Sequence, residues 1–113
     1  MFRRVNTLDR MNYINSELTG TVFRLVYLKN TLAFNTTSYI LKYIEKMIFS
    51  TKADTIILNI SAVDHIDSSA VGMFITIKHA MNKINKTFIL EGLTDNVRRV
   101  LQILDINNYL TAA

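Results

Sequence analysis

The hydrophobic pattern divides the chain into short apolar runs and longer segments in which apolar residues recur every three or four positions. The runs at 21–28, 55–60 and 87–90 contain mainly branched and aromatic residues and predict strands. The last two are almost continuously apolar, which is typical of strands buried on both faces of a sheet. A weaker strand candidate, 11–18, is separated from 21–28 by a Thr-Gly turn, so we expect a hairpin.

Three segments have helical periodicity. The first follows three N-cap candidates at 35–37 and ends near Ser50, the second covers 68–84, and the third begins after its N-cap, Thr94. The predicted core faces are Ile40, Leu41, Ile44, Met47 and Ile48 in the first helix, Ala70, Met73, Phe74, Ile77, Met81 and Ile84 in the second, and Val97, Val100, Leu101 and Leu104 in the third.

The resulting order of elements is β-β-α-β-α-β-α. Helices that connect apolar strands predict parallel crossovers, with the helices covering the sheet, and the initial hairpin makes the sheet mixed. We therefore expect an α/β fold whose mixed central sheet of about four strands is covered by three to four helices. Residues 11–113 form this single domain, preceded by a basic N-terminal segment, 1–10, that can be flexible.

Composition narrows the possible functions. Of the 113 residues, 50% are hydrophobic and 19% are charged, which predicts a packed domain. The absence of cysteine excludes disulfides and thiolate catalysis, and two histidines are too few for a convincing metal site. The net charge of +4 forms no basic stripe, so we expect no nucleic-acid binding. Without a secretory signal or an apolar run of about 18 residues, a cytoplasmic location without membrane insertion is predicted.

The segment 60–72, between a buried strand and the second helix, concentrates polar side chains. Asp67 precedes the helix and can accept hydrogen bonds from its free backbone N–H groups. Ser68 and Ser69 then fall in the first turn, near the positive end of the helix dipole. A phosphate on a first-turn serine would be stabilised there, so this segment predicts a phosphorylation site at a helix start.

Two apolar residues of the second helix fall outside its core stripe. On a helical wheel, Val71 and Ile75 share a side with Ser68. An apolar pair beside a phosphorylation site predicts a protein-docking surface, and the alternative is that the pair widens the core contact. The predicted partner-binding residues are His65, Val71, Ile75, Lys78 and Asn82.

Catalytic and metal-binding interpretations are weaker. His79 is three helical turns from Ser68, about 16 Å at the helical rise, which excludes a direct Ser-His pair. His65 is nearer, but no nucleophile elbow surrounds it. Asp64 and Asp67 could together bind a metal, although a loop residue and a helix cap are the simpler roles. The sequence therefore predicts a protein that is not an enzyme and has no cofactor.

The residues from Ile66 to Gly72, Ile-Asp-Ser-Ser-Ala-Val-Gly, together with Ala62-Val63 and the apolar strand before them, resemble the signature of STAS domains. The similarity is strongest to the bacterial anti-sigma factor antagonists and extends over about 11–110, including 88–90 and 97–101. This chain has Ala33 where the family commonly has an acidic residue, and Ala70 where glycine is common.

The resemblance implies a regulatory cycle. In such antagonists the serine after the signature aspartate is phosphorylated by a GHKL-type kinase that is also the anti-sigma factor, and a PP2C-type phosphatase reverses the modification. Carried onto this chain, the acceptor is Ser68, with Ser69 as the fallback. The function implied is a partner-switching anti-sigma factor antagonist. The alternative is a STAS module outside sigma regulation, either an accessory subunit of a membrane lipid ABC transporter or a biofilm or signalling regulator.

Overall fold

A computed structural model of the chain describes residues 13–49 and 52–113, so the predicted basic segment 1–10 lies outside the described residues. The strands are β1 (Ile14–Thr19), β2 (Val22–Tyr27), β3 (Thr31–Leu32), β4 (Thr55–Asn59), β5 (His65–Ile66) and β6 (Thr87–Glu91). The helices are α1 (Phe34–Ile48), α2 (Ser68–Lys83), α3 (Asp95–Ile103) and α4 (Asn107–Thr111).

The main sheet has the strand order β1-β2-β4-β6. Strands β1 and β2 form the expected antiparallel hairpin, and its turn includes Gly20 with φ of +61°, a backbone conformation that glycine adopts without strain. Strands β2, β4 and β6 are parallel, because α1 and α2 return the chain to the start of the next strand. The predicted α/β class with a mixed sheet of four strands is confirmed.

The core lies where one face of this sheet meets the helices. Alternate residues of β2, β4 and β6 are buried, as expected for a period of two, and the buried residues of α1 and α2 join the same cluster. In α2 the core residues are Ala70, Met73, Phe74, Ile77 and Met81, which matches the predicted stripe except at its last member.

Several predicted details at helix ends are wrong. The N-cap of α1 is Ala33, and Thr36 and Thr37 are buried in the first turn instead of capping the helix. Ile84 is exposed, because it follows the last residue of α2 and its backbone has left helical geometry, so the wheel no longer describes its direction. In α3, Val97 and Leu101 are buried.

The other two predicted core residues of α3, Val100 and Leu104, are exposed. This helix is only nine residues long and presents a narrow i, i+4 edge to the core. Strands β3 and β5 and helix α4 were not predicted, since segments of two to five residues carry too little periodicity to be recognised.

The carboxyl ends of β2, β4 and β6 bring three loops to one edge of the sheet, as parallel strands require. Strands β3 and β5 pair within these loops, and the backbone oxygen of Asn30 accepts a hydrogen bond of 2.7 Å from the amide of Asp64. The hydroxyl of Thr94, the N-cap of α3, donates to the backbone oxygen of Val63 at 2.7 Å. These contacts fix the loop that precedes α2.

Candidate functional site

The start of α2 is organised by Asp67. This residue is the N-cap, with extended backbone geometry, and its Oδ1 accepts hydrogen bonds from the amide of Ala70 at 3.1 Å and the hydroxyl of Ser69 at 2.6 Å. A side chain that accepts from the first-turn amides compensates for their missing intrahelical partners. Asp67 therefore fixes the direction in which the first turn of α2 leaves the loop.

The same carboxylate also serves α1. Its Oδ2 accepts a hydrogen bond of 2.9 Å from the amide of Phe34, the first residue of α1. The N-cap of that helix, Ala33, has no side chain able to do this. The side-chain hydrogen bond from Ser69 and then the amide of Phe34 hold the pKa of Asp67 below its ordinary value. One carboxylate thus joins the N-termini of both helices.

This arrangement predicts an acid-dependent loss of stability. Because the folded-state pKa of Asp67 is lowered, its stabilising effect is complete above the unfolded-state pKa, about 4, and disappears as the pH falls through the lower folded-state pKa. We expect Asp67→Asn, which still caps but does not titrate, to show a smaller decrease in unfolding free energy below about pH 4. Urea titrations of both proteins at successive pH values measure this, and parallel pH profiles would contradict it.

The two first-turn serines differ in their surroundings. Ser68 is the first residue of α2 and is exposed, and its hydroxyl makes no hydrogen bond to any residue that the structure describes. Ser69 is half-buried, donates to Asp67 and lies 3.3 Å from the hydroxyl of Thr37, which donates to it. The hydroxyl of Ser68 is therefore the more accessible of the two.

The predicted partner-binding residues do not all share one surface. Ile75 is 38% exposed, Val71 is half-buried against the core, and His65 and Asn82 are exposed. Asp64, the other acidic residue of the loop, is exposed and accepts a hydrogen bond of 3.3 Å from the side-chain amide of Asn96, its Nδ2. Val71 thus widens the core contact, while Ile75 remains available on the surface.

Lys78 was predicted on the docking surface, and this prediction is wrong. Its side chain is only 5% exposed, and its Nζ donates to the backbone oxygens of Phe88 at 2.8 Å and Ala112 at 2.7 Å. The ammonium also lies 5.7 Å from the ring centre of Tyr109. Helix α4 and the residue after it cover this side of α2, and the resulting burial lowers the pKa of Lys78.

A groove of about 420 Å³ between α1 and α2 begins beside Ser69. Phe34 and Tyr39, which line it, are 77% and 54% exposed. Sequence reasoning missed both aromatics, since it followed only the core stripe of α1. The sequence feature that could have indicated them is that both are large aromatic residues outside that stripe. The other lining residues include Leu41, Met73 and Thr76.

The described residues offer no metal centre, since no group of three or more His, Asp or Glu side chains among them is placed to hold an ion. His79 is exposed on α2. The candidate site instead consists of the accessible hydroxyl of Ser68, at the start of a helix capped by Asp67, and the adjacent groove, which no charged residue lines.

Comparison with known families gives a match to the STAS domain over residues 13–112. The chain belongs to the STAS domain family. The match spans nearly every described residue, and it confirms the resemblance found in segment 60–72. None of the curated protein sequences compared with this STAS domain matches it significantly.

Solved structures share the fold of this STAS domain. The anti-sigma factor antagonist SpoIIAA in its unphosphorylated form is 24% identical with a TM-score of 0.74, and the match covers 85% of this chain and 84% of that chain. The phosphorylated form of SpoIIAA from Bacillus is 22% identical with a TM-score of 0.70, covering 87% of each chain.

A more distant match is the murine anion transporter Slc26a9, which is 17% identical with a TM-score of 0.66. That match covers 85% of this STAS domain but 15% of the transporter. Across the ranges described for this chain, none of the helices is long and apolar enough to cross a membrane. At 17% identity, the similarity to the transporter is a similarity of fold.

Proposed function

We propose that this STAS domain is a cytoplasmic, non-enzymatic partner-switching regulator of the anti-sigma factor antagonist type. In the unphosphorylated state it binds a protein partner, and phosphorylation of Ser68 abolishes that binding. The observation that carries the proposal is the exposed hydroxyl of Ser68 at the first position of α2, beside the Asp67 cap. The fold shared with SpoIIAA, which has been solved in unphosphorylated and phosphorylated forms, supports it.

The physical basis is that charge can be added at this position without disturbing the core. A phosphoserine carries between one and two negative charges near neutral pH, and the N-terminus of a helix stabilises an anion. Ser68 is exposed, so the phosphate points into solvent and requires no rearrangement of buried residues. Its effect falls on the surface that a partner covers, which includes Ile75 and the exposed residues His65 and Asn82.

Ser69 is the less suitable acceptor. A kinase would have to break its hydrogen bond to Asp67 and its contact with Thr37 before the hydroxyl could react. Because the carboxylate of Asp67 accepts from Ser69 at 2.6 Å, a phosphate at Ser69 would also lie against an existing negative charge. Both effects favour Ser68.

The partners proposed are a GHKL-type kinase that is also an anti-sigma factor and a PP2C-type phosphatase. The kinase would bind the unphosphorylated domain, release its sigma factor and transfer the γ-phosphoryl group of ATP to the hydroxyl of Ser68, with ADP and the hydroxyl proton as the other products. The phosphatase would return the domain to its binding state. This cycle uses the domain as a substrate and a ligand, so it needs no catalytic residue in this chain.

The decisive experiment is phosphorylation of single-serine variants. The wild-type chain is incubated with ATP and a purified GHKL-type anti-sigma kinase, and intact mass spectrometry counts the phosphoryl groups. We expect one on the wild type, none on Ser68→Ala and one on Ser69→Ala, since the hydroxyl of Ser68 is the accessible one.

Circular dichroism of both alanine variants serves as the folding control. Phosphate mapped by fragmentation to a residue other than Ser68 would refute the assignment of the acceptor. A wild-type chain that neither binds nor is phosphorylated by the kinase would refute the antagonist function as a whole.

The match to a membrane transporter, murine Slc26a9, favours a second candidate function. In that case the domain is a module outside sigma regulation that binds a membrane transport protein, such as the ATPase of a lipid ABC transporter, or a biofilm or signalling protein. Such a module docks without being phosphorylated. Binding to a transporter ATPase that is equally strong in wild type and Ser68→Asp would favour this candidate.

A further inference from the structure

Strand β6 lies at the end of the main sheet, so one of its edges is not paired with any strand that the structure describes. The amide of Thr87 donates a hydrogen bond of 2.9 Å to the oxygen of Asp54, the residue before β4, so the backbone of Thr87 faces β4. Backbone groups point alternately to the two edges of a strand. The N–H and C=O groups of Phe88 and Leu90 therefore face the outer edge.

These edge groups are buried and only partly paired. Phe88 and Leu90 are 0% and 1% exposed, and the oxygen of Phe88 accepts a hydrogen bond of 2.8 Å from Nζ of Lys78. Among the described residues, no side chain and no loop backbone bonds to the N–H or C=O of Leu90. Buried backbone groups are normally paired, and an unpaired strand edge is a template for another strand. The outer edge of β6 is therefore able to pair but is covered.

The cover is the segment 107–112, which consists of α4 and Ala112 and which we call the strap. Its helix packs along β6, and the side chain of Leu110 is fully buried. The N-cap of α4, Ile106, makes no side-chain cap hydrogen bond. A helix of five residues is not stable on its own in water, so the strap depends on its contacts with the rest of the domain.

The strap does not pack tightly against the strand. A cavity of about 430 Å³ is lined by Leu90 on β6 and by Asn107, Asn108 and Thr111 on α4. The polar groups of these three side chains bond within α4. Since Leu110 is the one buried residue of α4, the strap has few buried apolar contacts. Such a segment opens locally at a lower free energy than the whole domain.

Lys78 joins the strap to the strand. Its Nζ donates to the oxygen of Phe88 on β6 and, at 2.7 Å, to the oxygen of Ala112 at the end of the strap. No carboxylate within the described ranges forms an ion pair with it. A buried ammonium is costly unless it is hydrogen-bonded, and a methionine would fill the same space without that cost. The charge of Lys78 is therefore explained by the two hydrogen bonds that it makes.

The sequence of β6 does not prevent pairing with another strand. Edge strands usually carry charges or proline, and residues 87–90, Thr-Phe-Ile-Leu, have neither. An antiparallel copy of β6 would place Phe88 opposite Leu90 of the second copy, and residues in such a pair exchange both of their hydrogen bonds. A two-fold axis repeats the pair, so this edge is complementary to itself.

We propose that the strap is a displaceable cover of the β6 edge, that Lys78 is the latch that holds it closed, and that the open form pairs through β6 with a second copy of this chain. In the closed form the latch occupies the oxygen of Phe88 and the strap blocks Leu90. In the open form the same groups bond across the two-fold axis. The proposal does not depend on phosphorylation, because Lys78 is ten residues along α2 from Ser68, about 15 Å at the helical rise.

The first test is amide hydrogen exchange of Lys78→Met, measured residue by residue by NMR at a concentration where the protein is monomeric. We expect the amide of Leu90 to exchange about tenfold faster than in wild type, whereas the amide of Ile89, which faces β4, should be unchanged. Lys83→Met is the matched control, because it removes an exposed lysine from the same helix, and it should change neither amide.

The second test is association. Sedimentation should show wild type and Lys83→Met as monomers and Lys78→Met as a dimer at high concentration, with the protection of the Leu90 amide restored in the dimer. Leu110→Ala removes the buried anchor of the strap and leaves the lysine in place, so it should reproduce both the faster exchange and the dimer.

A measurement on wild type applies even if a variant does not fold. In low urea, the exchange rate of the Leu90 amide should depend less on urea concentration than that of the Ile89 amide. The reason is that opening the strap exposes less surface than unfolding the domain.

Several results would overturn the inference. Equal urea dependence of the two amides in wild type means that no separate strap opens. Unchanged exchange of Leu90 in folded Lys78→Met shows that the lysine is not a latch. A variant that stays monomeric with Leu90 exposed, or a dimer in which Leu90 still exchanges rapidly, excludes a second copy at this edge. In each case Ser68 of Lys78→Met would still be phosphorylated, which leaves the proposed function intact.

Discussion

Phe74→Ala should lower the free energy of unfolding by about 3–5 kcal/mol, the range for removing a buried aromatic ring. Phe74 is fully buried in the middle of α2 and belongs to the core that this helix forms with the sheet. Its removal costs the transfer free energy of the ring and leaves a cavity that the packed strands cannot easily fill. Urea unfolding monitored by circular dichroism measures the change.

The neighbouring residue provides a matched control. Ile75 is on the same helix one position later and is 38% exposed, so Ile75→Ala should cost less than about 1 kcal/mol. Kinase binding should instead depend on Ile75, so we expect Ile75→Ala to weaken the complex. Comparable losses of stability in the two variants would mean that α2 packs in a different orientation from the one described.

Ser68→Asp should leave the melting temperature almost unchanged and weaken kinase binding by about a hundredfold. The added carboxylate lies at the first position of α2, where the helix dipole favours an anion, and the side chain is exposed. A partner that covers this surface must desolvate the added carboxylate, and a charge left there without a counter-ion weakens the complex. Calorimetry with the ADP-loaded kinase measures the loss.

Ser68→Asn is the control for this variant, because it has almost the same size and polarity as aspartate but no charge. It should bind within a fewfold of wild type. If Ser68→Asn loses as much binding as Ser68→Asp, bulk and not charge disrupts the complex. Loss of the helical signal in Ser68→Asp would contradict a mechanism that acts only on the surface.

The accuracy of the sequence predictions depended on the range of the interactions involved. Elements that depend on side chains close together in the sequence were predicted correctly. They are the strands at 55–60 and 87–90, the helices α1, α2 and α3, and the N-cap at Thr94. The errors at Ile84 and Leu104 occurred because each residue follows the last residue of its helix, where the helical wheel no longer applies. Val100 lies inside α3 and is exposed because the core face of this helix is narrower than the wheel assumes.

Lys78 illustrates the limit most clearly. Periodicity placed it beside Ser68 and Ile75, but α4 and the residue after it cover it, and that residue supplies one of its two carbonyl acceptors. The Ala112 acceptor is separated from Lys78 by 34 positions in the sequence. A lysine side chain can be buried together with its ammonium group when backbone oxygens accept hydrogen bonds from it. No local sequence pattern indicates that such oxygens are nearby.

By itself, the sequence determined the α/β order, the mixed sheet, the STAS resemblance and the position of two serines at a helix start, because all of these follow from local periodicity, capping and a contiguous motif. Only the tertiary structure decided that Asp67 joins both helices, that Ser69 is hydrogen-bonded while Ser68 is accessible, and that a groove opens beside them. These features arise between residues that are distant along the chain, and packing alone determines which of them meet.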